Sequence, residues 1–189
     1  NDGTLTNMVG TGVSHYRDGE VIMPVSASYL DFDGTDDYVT VSVTGTKTVE
    51  VWFNPDTTST TSVLYGPQAN GHDNWLSFSN IVTLFVTQSA DTNNFSVTGG
   101  SISAGNWYQA VAIVDGTTAT LYVNGSQVAT TTAAFTIGSW SGNASIGRRG
   151  AISQMYANAQ IGIVRVYNKA LTAAEVLSNY NAIKPRFGL

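Results

Sequence analysis

Along this chain apolar residues fall on alternate positions in short runs, and Gly, Asn, Asp or Pro interrupts nearly every run. A side-chain period of two sends one set of residues to a buried face and the other to water, so each run predicts a half-buried strand. Residues 38–43 show the pattern at its cleanest, with Val39, Val41 and Val43 opposite Tyr38, Thr40 and Ser42. The same grounds predict strands over 29–32, 47–53, 62–65, 75–79, 82–86, 95–97, 107–114, 118–123, 126–131, 133–137, 144–146 and 160–167. Asn54-Pro55-Asp56 stops the 47–53 strand, because Pro has no N–H to give to a ladder.

The stretch 107–129 is expected at the centre. Trp107, Val111 and Ile113 share one face of its first strand and Tyr108, Ala110, Ala112 and Val114 the other, so neither face is polar. Asp115-Gly116 and Asn124-Gly125 fold it into two hairpins, and Asn-Gly suits a type I′ turn, which needs positive φ at both central residues. Strands this short and this often punctuated, with no repeat and no linker, predict an all-β, antiparallel two-sheet sandwich of the jelly-roll kind. One short C-terminal helix joins it. Thr172-Ala173-Ala174-Glu175 reads as a capping box, Leu171 and Val176 as a hydrophobic staple, and Val176, Leu177 and Tyr180 as the apolar stripe, with Pro185 ending the helix. Residues 1–28 are expected to be an N-terminal arm with irregular first strands, and 29–189 the domain proper, closed by a surface strap at 186–189.

Composition narrows the function. Apolar residues make up 42% of the chain and charged residues only 11%, against roughly 25% in ordinary soluble proteins. Ser, Thr, Asn and Gly fill the difference, which suits an extracellular, cell-surface or virion protein. A net charge of −5, with basic residues adjacent only at Arg148-Arg149, argues against a nucleic-acid partner. There is no Cys, so thiolate chemistry and disulfides are excluded. No apolar run is long enough to span a bilayer, and no membrane partner is expected. Residue 1 is Asn, which suggests a processed or partial chain.

Four separated segments carry a resemblance. They are Tyr29-Leu30-Asp31-Phe32-Asp33-Gly34 running into Asp36-Asp37-Tyr38-Val39, Thr48-Val49-Glu50-Val51-Trp52-Phe53, the hairpins from Trp107 to Gly125, and Gly162-Ile163-Val164-Arg165-Val166-Tyr167 leading into the helix with Glu175. In order and spacing they resemble the laminin-G-like jelly-roll domains of the concanavalin A-like lectin/glucanase superfamily. That resemblance covers about residues 29–182. The ending, Leu177 to Ala182 and Arg186 to Leu189, is similar to laminin-G-like domains of phage structural proteins.

The superfamily's glucanases need two Glu side chains alternating along one strand. Here Glu20, Glu50 and Glu175 are the only three, and no carboxylates alternate, so no glycosidase is expected. His15 and His72 are the only histidines, and no Gly-x-Ser-x-Gly elbow presents a serine. The resemblance implies calcium at loop oxygens in many relatives. Asp73 and Asn74 resemble the Asp-Asn ligand pair of pentraxins, although Arg148-Arg149 stands where their second ligand set belongs. Asp33, Asp36 and Asp37 are a second candidate set, with plain turn formation as the alternative.

Sugar binding calls for aromatics to stack on and polar groups to read hydroxyls. Trp52 and Trp107 lie inside strands and are assigned to the core, whereas Trp75 and Trp140 sit at loop junctions. With Asn70, His72, Arg148 and Arg149 they make the candidate ligand site, the alternative being that both tryptophans cap the core. The reading is a non-catalytic carbohydrate-binding or adhesion module with glycans as partners. Its rival is a virion or appendage protein, a homo-oligomer whose sandwich serves assembly.

Overall fold

The structure is a computed structural model, which describes residues 4–6, 9–11, 28–67, 74–87, 94–150 and 154–189. The early strands are β1 (Thr4–Thr6), β2 (Val9–Thr11), β3 (Tyr29–Asp33), β4 (Tyr38–Thr46), β5 (Thr48–Pro55), β6 (Ser62–Pro67) and β7 (Trp75–Phe78). The later ones are β8 (Ile81–Thr87), β9 (Asn94–Ser101), β10 (Tyr108–Asp115), β11 (Thr118–Val123), β12 (Ser126–Thr132), β13 (Trp140–Ile146) and β14 (Asn158–Tyr167). Helix α1 (Ala173–Ile183) and a 3-10 turn over Lys184–Phe187 close the chain. Among the described residues the strands form two seven-stranded antiparallel sheets, ordered β1-β4-β13-β6-β7-β8-β9 and β12-β11-β10-β5-β14-β3-β2. The expected two-sheet sandwich with a short C-terminal helix is what forms.

Between the sheets lies one core, in which Val39, Val43, Leu64, Tyr65, Leu76, Leu84 and Trp140 meet Val49, Val51, Phe53, Ala110, Ala112 and Leu121. The residues chosen by alternation are the ones that point in. Asn124 and Gly125 take φ of 50° and 76°, as the type I′ turn requires. Two expectations need correcting. Residues 133–137 are no strand: Ala133 and Ile137 donate their N–H groups to Thr117 and Gly116 carbonyls, and Ile137 plugs into the core. The middle of the second sheet is β5, flanked by β10 and β14, rather than the 107–114 strand.

Both faces of β5 are buried, and the two covers differ. Val49, Val51 and Phe53 meet the other sheet, while Glu50 and Trp52 face outward beneath α1 and the 3-10 turn. Trp52 stacks with Tyr180 at 5.7 Å and with Phe187 at 4.9 Å. It is buried as expected, but under the C-terminal cap and not between the sheets. Trp107 precedes β10, is half-buried, and packs on Phe187 at 4.3 Å. Further along the same face Val111, Ile113 and Tyr122 receive Leu171 and Val176, the staple pair. Burial of these side chains is the main force holding so short a helix in place.

The capping box is present. Thr172 Oγ1 accepts from the Glu175 N–H, and Glu175 Oε2 accepts from the Thr172 N–H. Lys169, which donates to Glu175 Oε1, and the Thr172 backbone hold the Glu175 carboxyl at about 2, well under the ordinary 4.5. A depressed folded value means the cap is at full strength above pH 4.5 and is lost as pH falls towards 2. A carbon-detected titration of Glu175 is expected to give that low midpoint, and Lys169→Ala to raise it. An ordinary midpoint in the wild type would contradict the cap.

Candidate functional site

The outer face of the first sheet carries a band of hydroxyls. Register places Ser42 beside Asn143, Thr40 beside Ser145, Ser77 beside Thr83, and Thr83 beside Thr98, all on strands whose opposite face is core, and of these Ser77 and Ser145 are buried. Two aromatic groups break the band. Trp75 lies beside Phe85, with rings 4.0 Å apart and 13° from parallel. Tyr38 stands on β4, towards the β1 edge.

Each aromatic ring carries a guanidinium. Arg149 lies 4.1 Å over Trp75 and Arg148 3.5 Å over Tyr38. Phe85 and Arg149 both approach within about 4 Å of the Trp75 ring centre, which leaves them opposite faces of the indole. Trp75 is accordingly only 8% exposed. It is a bed for Arg149, not an open platform. Cation–π contact of this kind contributes about 0.5–2 kcal/mol and fixes the guanidinium plane. Arg148 Nε also donates to Ser145 Oγ at 3.3 Å.

Gly147 sets the position of both arginines. Its φ is 88°, and a Cβ there would come 2.3 Å from Phe32 and 3.3 Å from the Asp37 carbonyl oxygen. Its N–H donates to Leu64 and its carbonyl accepts from Ala157, while the Arg149 N–H donates to Gln154. Chain on three sides therefore holds the Arg148-Arg149 turn.

The other predicted site residues separate into groups. Trp140 is 3% exposed in the core, with its indole N–H on the Asn74 carbonyl at 2.9 Å, so its ring offers no stacking surface. A bulge between Trp140 and Gly142 turns that side chain inward although Ser141 and Gly142 beside it are exposed. Asn74 is buried, and its amide reaches the Gly138 carbonyl at 3.4 Å. Asn70, His72 and Asp73 lie outside the described residues, as do His15 and Glu20. In the Asp33–Asp37 turn Asp33 Oδ1 accepts from Thr35 N–H at 2.7 Å and Asp37 Oδ2 from Asp33 N–H at 3.1 Å, while Asp37 Oδ1 is buried without a hydrogen-bond partner. Burial, followed by neighbouring aspartates acting against the Asp33 hydrogen bond, raises the Asp37 carboxyl above its usual range. Among the described residues no three His, Asp or Glu side chains are grouped as a metal ion would need.

Sequence reasoning missed Tyr38 and Phe85. Their signal was an aromatic residue on the otherwise polar side of an alternating strand, which marks an outward face that has something to hold.

Glu50 is fully buried and engaged. It accepts from Trp52 Nε1, Gln109 Nε2, Tyr167 Oη and Asn179 Nδ2 at 2.9–3.1 Å, with Arg165 3.7 Å away. Gln109 is fixed in turn by the Asn124-Gly125 turn, whose Gly125 N–H it accepts. Burial and the Glu50 charge push the Tyr167 phenol above its usual range. Glu175 is committed to the helix cap, so no two Glu side chains face each other across a cleft among the described residues.

Residues 33–177 match the laminin G-type family model described as the concanavalin A-like lectin/glucanases superfamily. The chain belongs to that superfamily. The superfamily's sandwich recurs in solved structures of low identity. A heptameric SAP-like pentraxin from Limulus polyphemus is 16% identical over 79% of this chain and 80% of its own, with a TM-score of 0.63. The CBM40 of a Ruminococcus gnavus IT-sialidase is 14% identical over 71% of this chain and 82% of its own, with a TM-score of 0.61. The binding domain of botulinum neurotoxin serotype G is 12% identical over 95% of this chain and 46% of its own, with a TM-score of 0.67. A comparison with curated proteins finds no match.

Proposed function

We propose that this chain is a non-catalytic carbohydrate-binding module of an extracellular or cell-surface protein, and that the outer face around Trp75, Phe85, Arg149, Tyr38 and Arg148 takes the glycan. The observation that carries the reading is the pair of guanidinium groups laid on aromatic rings over a sheet face of hydroxyls. Stacked arginines keep their in-plane N–H donors aimed and partly desolvated, which suits sugar hydroxyls and, better still, a sugar carboxylate or sulfate. The CBM40 of R. gnavus was solved with α2,3- and α2,6-sialyllactose, so sialylated oligosaccharides are the first probes.

Catalysis finds no support in the two described glutamates, since Glu50 is saturated by donors and Glu175 caps a helix. Among the described residues no helix is long and apolar enough to cross a membrane. The test is a glycan array run with calcium and with chelator. Binding of acidic glycans is expected in both, weakened at least tenfold by Arg149→Ala. Loss under chelator alone would move the site to a calcium centre that includes Asp73. A blank array would overturn the reading.

The assembly alternative has its own handle in Leu177 and Leu189, both nearly half exposed on the C-terminal cap. A stable native oligomer dissociated by Leu177→Lys would favour that role, whether in a virion or in another surface structure.

A further inference from the structure

The two sheets are not sealed along one side. Strand β4 has β1 beside it only at Tyr38–Thr40, and β14 has β3 beside it only from Asn158 to Ile161. Beyond those points the remaining lengths of β4 and β14 border the gap between the sheets, with no further strand over it among the described residues. A hollow of about 310 Å³ lies there, walled by Val41, Val43, Tyr65, Ile146, Val164 and Val166, with the exposed Ser42 also on its lining. Register shows that the aliphatic and tyrosine side chains belong to the inner faces. Ile146 sits beside Tyr65, and Val164 and Val166 sit beside Val51 and Val49, which are core residues. Val166 is nevertheless 42% exposed. An inward-facing valine that sees so much solvent marks the mouth.

The chemistry of the walls is specific. All but two are branched aliphatics, which give a water molecule nothing to bond to. The exceptions are Ser42, whose hydroxyl donates to Asn143 Oδ1, and Tyr65, whose hydroxyl is buried without a hydrogen-bond partner. A lone buried hydroxyl is costly, and burial pushes that phenol far above its usual range. An adjoining outer hollow is polar, lined by Ser42, Thr44, Thr46, Asn168 and Lys169, but its one ammonium is paired with Glu175. A charged end group would find no free cation there.

We infer that the inter-sheet hollow is a second binding site, separate from the arginine face, for a small aliphatic molecule with one neutral hydrogen-bonding end. The aliphatic part lies among Val41, Val43, Ile146, Val164 and Val166, and the polar end pairs with the Tyr65 hydroxyl. At about 30 Å³ per water-sized group, the space suits about eight to ten non-hydrogen atoms. A medium-chain alcohol matches in size and in polarity.

1-Octanol is the probe, titrated into the intact chain with valine methyl resonances as the readout. Saturable shifts are expected at Val41, Val43, Val164 and Val166 and not at the arginine face. Sodium octanoate at pH 7 is expected to bind at least tenfold more weakly, because its carboxylate would be buried without a cation. Tyr65→Phe should weaken octanol about tenfold while raising the melting temperature of the free protein, since it removes an unpartnered hydroxyl. A merely structural role for Tyr65 would not move those two quantities in opposite senses. Val166→Phe, at the exposed mouth, should block binding in a folded protein, and Val164→Phe should do so from within. Absence of saturable shifts, or octanol binding undiminished in a folded Val166→Phe, would overturn the site. Tyr65→Phe binding octanol as well as the wild type would overturn the hydrogen-bonded end.

Discussion

Glu50→Ala is expected to lower the unfolding free energy by about 3–5 kcal/mol, the scale of removing one partner from a buried, hydrogen-bonded charge. Four donors from four different places lose their acceptor at once: Trp52 in β5, Gln109 in β10, Tyr167 in β14 and Asn179 in α1. Trp52 and Gln109 are fully buried and cannot turn to water without lifting the C-terminal cap. Glu50→Gln should cost much less. Its amide oxygen still accepts, and its NH2 can donate to the Tyr167 oxygen or to a flipped Asn179 amide. Urea unfolding followed by tryptophan fluorescence measures both, with the ranking wild type, Glu50→Gln, Glu50→Ala. A Glu50→Ala loss under about 1 kcal/mol would show that the network is dispensable. The carboxylate is thus a rivet between sheet and helix, and no part of a glucanase-type acid pair.

Gly147→Ala should cost about 2–5 kcal/mol, from two additive sources. A left-handed backbone at an L-residue costs about 1–2 kcal/mol, and overpacking against a core ring costs about 1–3. Phe32, the ring in the way, is fully buried and has no room to retreat. Gly105→Ala supplies the internal control. Its φ of 79° is similar, but no atom lies within 4 Å of the added carbon, so only the backbone term remains. The difference between the two variants, read by the same urea series, is the packing term. Because Gly147 carries Arg148 and Arg149, its substitution should also weaken acidic glycans. Equal losses in the two variants would falsify the close approach to Phe32.

Most of the fold could be read from the sequence because its signals are local. Alternation picked out the inward Val39 and Val43, Asn-Gly specified the turn, and Thr172 with Glu175 specified the helix start. What could not be read was which element covers which face. The strand at 107–114 is apolar on both sides and was expected at the centre, and nothing local ranks the 47–53 strand nearer to it. Glu50 was the available clue: one acid between two valines, sharing its face with Trp52, implies a polar partner brought from afar. Residues 133–137 copied a strand's composition but lacked a neighbour to pair with, and tertiary context decided.

The candidate site was half legible for a related reason. The sequence grouped Arg148, Arg149 and Trp75 at one loop end, and the structure lays Arg149 over Trp75 and Arg148 over Tyr38. Trp140 was set among them because its neighbours are small and polar, yet a bulge reverses the face a strand residue takes. Whether an indole is an open platform or a bed for a guanidinium depends on packing in three dimensions.

The place of β5 also dictates the order in which this protein can be made. Its last residue is Pro55, but its flanking strands begin at Tyr108 and Asn158, and the lid over Trp52 comes later still. At ribosomal speed the chain needs on the order of ten seconds to travel from β5 to α1. Until β10 and then β14 follow it out of the ribosome, Val49, Val51, Trp52 and Phe53 lie on an unpaired edge, a ready template for joining another nascent chain. Trp52 stays uncovered until the helix arrives. A gene truncated before the helix would therefore be expected to yield aggregates rather than a smaller sandwich. The helix and the 3-10 turn, synthesised after all these strands, make the first half safe.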